Sequence, residues 1–150
     1  MSVIVRVFLV LLAVWSAGVC RADDDTVAPE HVPGAVAVSA EELVKLIYSN
    51  PGIVLIDSRK ETEYLRGHIE GAINLLNLKM TRAELQRVAP DKSAAVLFYC
   101  NGIRCLRSSD AASRALEWGY RNVFWFRGGW QEWDEKKLPV IAGEHPGLSR

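Results

Sequence analysis

No charge of one sign dominates this chain of 150 residues: 18 Lys and Arg stand against 18 Asp and Glu, a formal net charge of zero. The basic footprint of a nucleic-acid binder is therefore missing. Cysteine is scarce, three in all, and no internal repeat is evident along the sequence. The apolar stretch over residues 7–19 falls a little short of the roughly 17 residues that span a bilayer. What remains is the composition of a globular protein, 49% hydrophobic and 24% charged, with length for one domain and one core.

The first residues read as a targeting signal and are set apart from the fold. Arg6 gives a short positive start, residues 7–14 are uncharged and apolar, and Ser16, Ala17 and Gly18 follow. Cleavage after Ala22 places the small residues Cys20 and Ala22 at the minus-three and minus-one positions. Removal of Arg6 and Arg21 leaves 16 basic against 18 acidic residues, a charge of minus two. A lipoprotein anchored through Cys20 is a rival reading, although Val19 is bulkier than the Gly, Ala or Ser such a signal prefers; an uncleaved anchor is another. The expected location is periplasmic or secreted. In that oxidising setting the two remaining thiols, Cys100 and Cys105, stand five residues apart and invite a disulfide.

The expected division is a signal over residues 1–22, an extended leader over 23–34, one domain over 35–142 and a tail over 143–150. The leader carries three consecutive aspartates and two prolines without apolar periodicity. Residues 35–38 form a short strand, and Ser39 with Glu42 makes a capping box for a helix ended by Asn50, Pro51 and Gly52. Residues 53–56 are a continuous β-branched and aliphatic run, the pattern of a strand buried on both faces of a parallel sheet, with Asp57 at its carboxyl end. A short helix over 61–66 and a strand over 72–75 follow. Thr81 with Glu84 caps a helix to about Val88, and residues 94–99 repeat the buried-strand pattern. A helix over 106–118 stops at Gly119, residues 123–126 are the last strand, Gly128 and Gly129 turn the chain, and 130–137 are a final helix. Strands alternating with helices imply an α/β domain with a mostly parallel sheet.

Ligand sites in open α/β sheets lie beyond the carboxyl ends of the strands, and Cys100 stands at such an end. The loop from Asn101 through Gly102, Ile103 and Arg104 to Cys105 can turn backbone N–H groups over the sulfur, and the next helix adds the positive end of its dipole. With Arg104 and Arg107 close by, a thiolate or persulfide anion is stabilised, and the Cys100 thiol is expected below its ordinary pKa of roughly 8.5. The bland alternative is an unpaired thiol buried at a strand end. A glycine and two arginines in the next seven residues make a poor lining for one.

Three segments, in order, resemble the rhodanese superfamily over residues 36–139. Asp57-Ser58-Arg59, then Glu63-Tyr64, then Gly67-His68-Ile69-Glu70-Gly71-Ala72-Ile73-Asn74 match its D-x-R, E-[YF] and G-H-I-x-G-A-x-N pattern. Phe98-Tyr99-Cys100 is similar to its strand leading into the active-site loop, and Gly128-Gly129-Trp130 with Trp133 to its G-G-x-x-x-W ending. The resemblance implies a three-layer fold, a five-stranded parallel sheet with helices on both faces, and a sulfurtransferase in which Cys100 accepts sulfane sulfur as a persulfide. It implies Asp57 and Arg59 near the site as supporting groups, His68 as a structural hydrogen-bonding residue, and substrate-binding roles for Asn101, Gly102, Ile103, Arg104, Cys105 and Arg107. Trp125, Trp130 and Trp133 read most simply as core.

The loop departs from the family's C-x-x-G-x-R-S. Cys105 stands where the arginine is expected, glycine comes early, and the loop is longer. A longer loop resembles that of dual-specificity phosphatases, but the position of their arginine is Leu106, which removes the main donor to a phosphoryl transition state. Two further readings stay open: a redox module in which Cys105 resolves the persulfide as a disulfide, and a rhodanese-like binding module. The expected partners are a small anionic sulfur donor such as thiosulfate and a thiol or cyanide-like acceptor. No nucleic acid, metal or organic cofactor is implied, a membrane is met only through an uncleaved signal, and the assembly is expected to be a monomer or weak dimer.

Overall fold

The computed structural model describes residues 26–143; the expected signal over residues 1–22 with its cleavage after Ala22, and residues 144–150 of the tail, lie outside the described residues. Within them the elements run β1 (Val36–Ala37), α1 (Ala40–Ser49), β2 (Val54–Asp57), α2 (Glu61–Arg66), β3 (His68–Ile69), β4 (Ala72–Asn74), α3 (Arg82–Val88), β5 (Ala95–Tyr99), α4 (Arg107–Glu117), β6 (Asn122–Phe126), α5 (Gly129–Glu135) and β7 (Val140–Ile141). Both expected capping boxes form. Ser39 Oγ accepts from the Glu42 amide while the Glu42 carboxylate accepts from the Ser39 amide, and Thr81 and Glu84 do the same. Each satisfies two amide donors that the first helical turn leaves without a partner.

Five strands pair in parallel in the order β1-β6-β5-β2-β4. All five residues of β5 are buried, as expected of a central strand covered on both faces. Side chains alternate across it: Val96 and Phe98 join Ile56, Val123 and Trp125 under Leu85 of α3 and Ala111, Ala112 and Ala115 of α4. Leu97 and Tyr99 join Leu55 and Phe126 under Leu43 of α1, Tyr64 of α2 and Trp133 of α5. The period of two in a strand thus assigns one helix layer to each face. The three alanines let α4 lie close against the sheet.

Three features depart from or extend the sequence expectations. β3 and β7 form a small antiparallel pair, His68 opposite Ile141 and Ile69 opposite Val140; two-residue strands carry no readable period. Gly129 belongs to α5 and not to a turn before it. Ala28 and Val32, in the leader, are buried in the same cluster as Trp125 and α4.

Candidate active site

β2 and β5 are neighbours in register, Asp57 opposite Tyr99, so their carboxyl ends open side by side. Cys100 follows β5 directly, and the loop of residues 100–106 leads into α4. Three separate segments hold that loop. The first turn of α5 donates from the Trp130 amide to Cys100 O at 2.8 Å and from the Gln131 amide to Asn101 O at 2.9 Å. This approach needs Gly129: its φ is +56°, and a Cβ there would run into the Cys100 carbonyl. From α2, Glu63 accepts a hydrogen bond from the Asn101 amide group at 2.7 Å and pairs with Arg107 at 3.3 Å. Burial works against the Glu63 charge, but these bonds and the Lys60 amide hold its carboxyl below the usual range. The leader crosses from the other side, where the Ala28 amide donates to Ile103 O at 2.7 Å. Inside the loop, the Cys105 amide closes a turn on Gly102 O.

Cys100 is only 1% exposed. Its Sγ accepts from Ser108 Oγ at 3.1 Å, and Ser108 Oγ in turn accepts from Trp125 Nε1 at 3.0 Å. Because the indole N–H is a donor only, it turns the serine proton toward the sulfur. Helix α4 has no side-chain cap. The Ser108 amide points instead at the Cys100 sulfur, and the Asn101 and Arg107 amides at the Cys105 sulfur. Two sulfurs thus occupy the place a capping oxygen would take at the positive end of the helix.

The expected fall in the Cys100 pKa is corrected by this arrangement. Contact with the Cys105 thiol first, and burial second, push Cys100 up, and Cys100 Sγ lies 3.1 Å from the Cys105 carbonyl oxygen. Cys105 takes the opposite course and drops to about 6, through the hydrogen bond from Cys100 first, against its own burial, helped by the two amides and the Arg107 charge. The negative charge that the sequence assigns to Cys100 is favoured on the second sulfur, while the first keeps its proton.

A cavity of about 360 Å³ opens over the loop, lined by Asn101, Gly102, Arg104, Cys105 and Arg107 among the expected binding residues, and also by Leu106 and Gln131. Cys105 lines this space and Cys100 does not. Ile103 does not line it; its side chain is exposed and its carbonyl is held by the leader. Asp57 and Arg59 form a buried ion pair: Arg59 Nη2 lies 2.6 Å from Asp57 Oδ2, which also accepts from Tyr99 Oη at 2.7 Å. Arg59 further donates to Gly67 O at 2.7 Å and lies 4.5 Å from the centre of the Trp130 ring. The pair supports the frame behind the loop, joining β2, β5, the α2–β3 corner and α5. His68 stacks on Tyr64, with Nδ1 3.0 Å from the Tyr64 carbonyl.

Sequence reasoning passed over Glu63, Ser108 and Gln131 as site residues. Glu63 carries a signal, the acidic position before the aromatic of the second motif. Ser108 and Gln131 carry none without the positions of Trp125 and α5.

Among the described residues no cluster of His, Cys, Asp or Glu has the makings of a metal site, and no helix is long and apolar enough to cross a membrane. The family model described as the rhodanese-like domain matches residues 39–136. The chain is 32% identical over 108 residues to the rhodanese domain-containing protein CG4456 of Drosophila melanogaster, covering 64% of this chain and 95% of that one. Among solved structures it is similar to the BH2092 protein of Bacillus halodurans, with a TM-score of 0.65 at 25% identity over 72% of this chain and 77% of that one. It is also similar to the human single-domain sulfurtransferase TSTD1, with a TM-score of 0.55 at 29% identity over 68% and 97%. The five-stranded sheet with its cysteine loop clamped by α5, and a match over residues 39–136, lead to one conclusion: this chain belongs to the rhodanese-like family.

Proposed function

We propose that the protein is an exported sulfurtransferase, acting in the periplasm or outside the cell after loss of residues 1–22, that moves sulfane sulfur from an anionic donor to a thiophilic acceptor through a persulfide on Cys100. Thiosulfate or a small persulfide fits the donor, and a thiol or cyanide-like nucleophile the acceptor. The observation that carries the reading is the focusing of the Ser108 hydroxyl and the Ser108 amide of α4 on the Cys100 sulfur, in a loop whose Asn101, Gly102, Arg104 and Cys105 line an open cavity with Arg107. These donors are in place before the reaction and require no reorganisation as charge develops.

In the loading step the Cys105 thiolate takes the Cys100 proton, and the resulting Cys100 thiolate attacks the outer sulfur of thiosulfate. The new sulfur–sulfur bond forms as the old one breaks, and sulfite leaves with the electron pair. Negative charge then resides on the outer sulfur of the persulfide, where the Arg107 charge and loop amides stabilise it. Attack by an acceptor thiolate on that sulfur carries it away and restores Cys100.

Thiosulfate treatment of the protein is expected to add about 32 Da, one sulfur, to the loop, and Cys100→Ser to abolish both the adduct and sulfite release. Intact-mass measurement decides it. An unloaded wild-type protein would leave a binding module, and retained turnover in the serine variant would remove Cys100 from the chemistry.

A further inference from the structure

In a single-thiol site the persulfide waits for an external acceptor. Here a second thiol is already in place. Cys100 Sγ lies 3.1 Å from the Cys105 carbonyl, and Cys105 lines the cavity over the loop and stands in the loop position where the family pattern has arginine. Both cysteines are free in this structure. Cys100 is 1% exposed and does not line the cavity, whereas Cys105 does. An intramolecular nucleophile held against its target competes at an effective concentration that a diffusing thiol does not reach.

We propose, building on the sulfur-transfer reading above, that Cys105 is the second reacting thiol of this site and resolves the Cys100 persulfide internally, so that the protein reduces sulfane sulfur to hydrosulfide. After loading, Cys105 holds the proton taken from Cys100. That proton passes to the outer sulfur of the persulfide, and the Cys105 thiolate attacks the inner, Cys100 sulfur. The Cys100–Cys105 bond forms as the persulfide bond breaks, and hydrosulfide leaves with the electron pair. Two cysteine thiols are oxidised to one disulfide while one sulfane sulfur is reduced to sulfide. With thiosulfate as donor the products of one turnover are sulfite, hydrosulfide and the disulfide. An external dithiol resets the site by exchange, becoming a disulfide itself. The groups that confine the pair are Ser108 on the Cys100 side and the Asn101 and Arg107 amides on the Cys105 side.

Trypsin provides the test, because it cleaves after Arg104, between the two cysteines. The full chain is reduced, desalted without oxygen, treated with thiosulfate and then alkylated in acid. The peptides of residues 93–104 and 105–107 are expected to be joined, with one hydrosulfide released per chain. Cys105→Ser should load more slowly and stop at an adduct of about 32 Da on peptide 93–104, releasing hydrosulfide only when a thiol is added. If the wild-type adduct stays on peptide 93–104 unlinked and without hydrosulfide, internal resolution is wrong while sulfur transfer stands. Sulfur recovered on peptide 105–107 also overturns it, since Cys105 would then have taken the outer sulfur. Absence of any adduct or link in both proteins would sink the sulfur-transfer reading beneath it.

Discussion

At the scale of single residues, the site is governed by how one proton is shared between two sulfurs. Cys100 retains it because it is buried and bonded to Cys105; Cys105 yields it because a thiol and two amides point at its sulfur. Thiol reactivity follows the thiolate fraction. The labelling rate of Cys105 by an alkylating agent is therefore expected to rise with pH through a midpoint near about 6, and to fall away below it as the sulfur is protonated. Cys100 should resist labelling over the same span. Peptide-resolved labelling measures both, and a Cys105 midpoint at or above roughly 8.5 would mean that the loop stabilises no anion. Cys100 was legible in the sequence because it ends an apolar run beside glycine and arginine. The proton distribution was not, because it rests on the Cys105 and Ser108 contacts that folding creates.

At the scale of elements, the clamp of α5 on the loop sets the geometry of the site. The start of α5 approaches so closely that residue 129 has no space for a side chain and takes a left-handed conformation. Gly129→Ala should cost about 1–3 kcal/mol in backbone strain alone. It should also push the Cys100 carbonyl off the Trp130 amide and slow persulfide loading on the order of 100-fold, as displacement of a reacting group by about 1 Å can do. Gly71→Ala is the matched control, with φ of +79° but nothing within 4 Å of the added carbon. It should lower the melting temperature without the same loss of loading. Equal loading by both variants would show that the clamp does not position the sulfur. Two adjacent glycines before an apolar helix read as a turn from sequence, because the steric demand arises from a carbonyl 29 positions earlier.

At the scale of the whole molecule, the sheet is closed over by helices on both faces and the leader completes one of those faces. Ala28 and Val32 fill the cluster around Trp125 and α4, and Arg127 holds the strap by donating to Pro29 O at 2.8 Å and Ala28 O at 2.9 Å. The Ile103 carbonyl is bound by the same strap. A chain beginning at Gly34, compared in urea with one beginning at Asp23, should lose at least the roughly 1.5–3 kcal/mol of the buried valine. Its loading rate should fall as well, because the loop loses one of its supports. Identical midpoints and rates would mean that the leader only covers the site.

The sequence by itself determined the five helices and the five strands of the parallel sheet, their order along the chain, both capping boxes and the cysteine at the end of the central strand. Those depend on apolar period, turn residues and caps within a few neighbours, and such local patterns survive reading in one dimension. Tertiary structure alone decided which cysteine lines the cavity, which keeps its proton and what aims the serine at it. These depend on Glu63, Trp125, Gly129 and the leader meeting one loop from distant parts of the chain, and charge and burial are set by what surrounds a group in space.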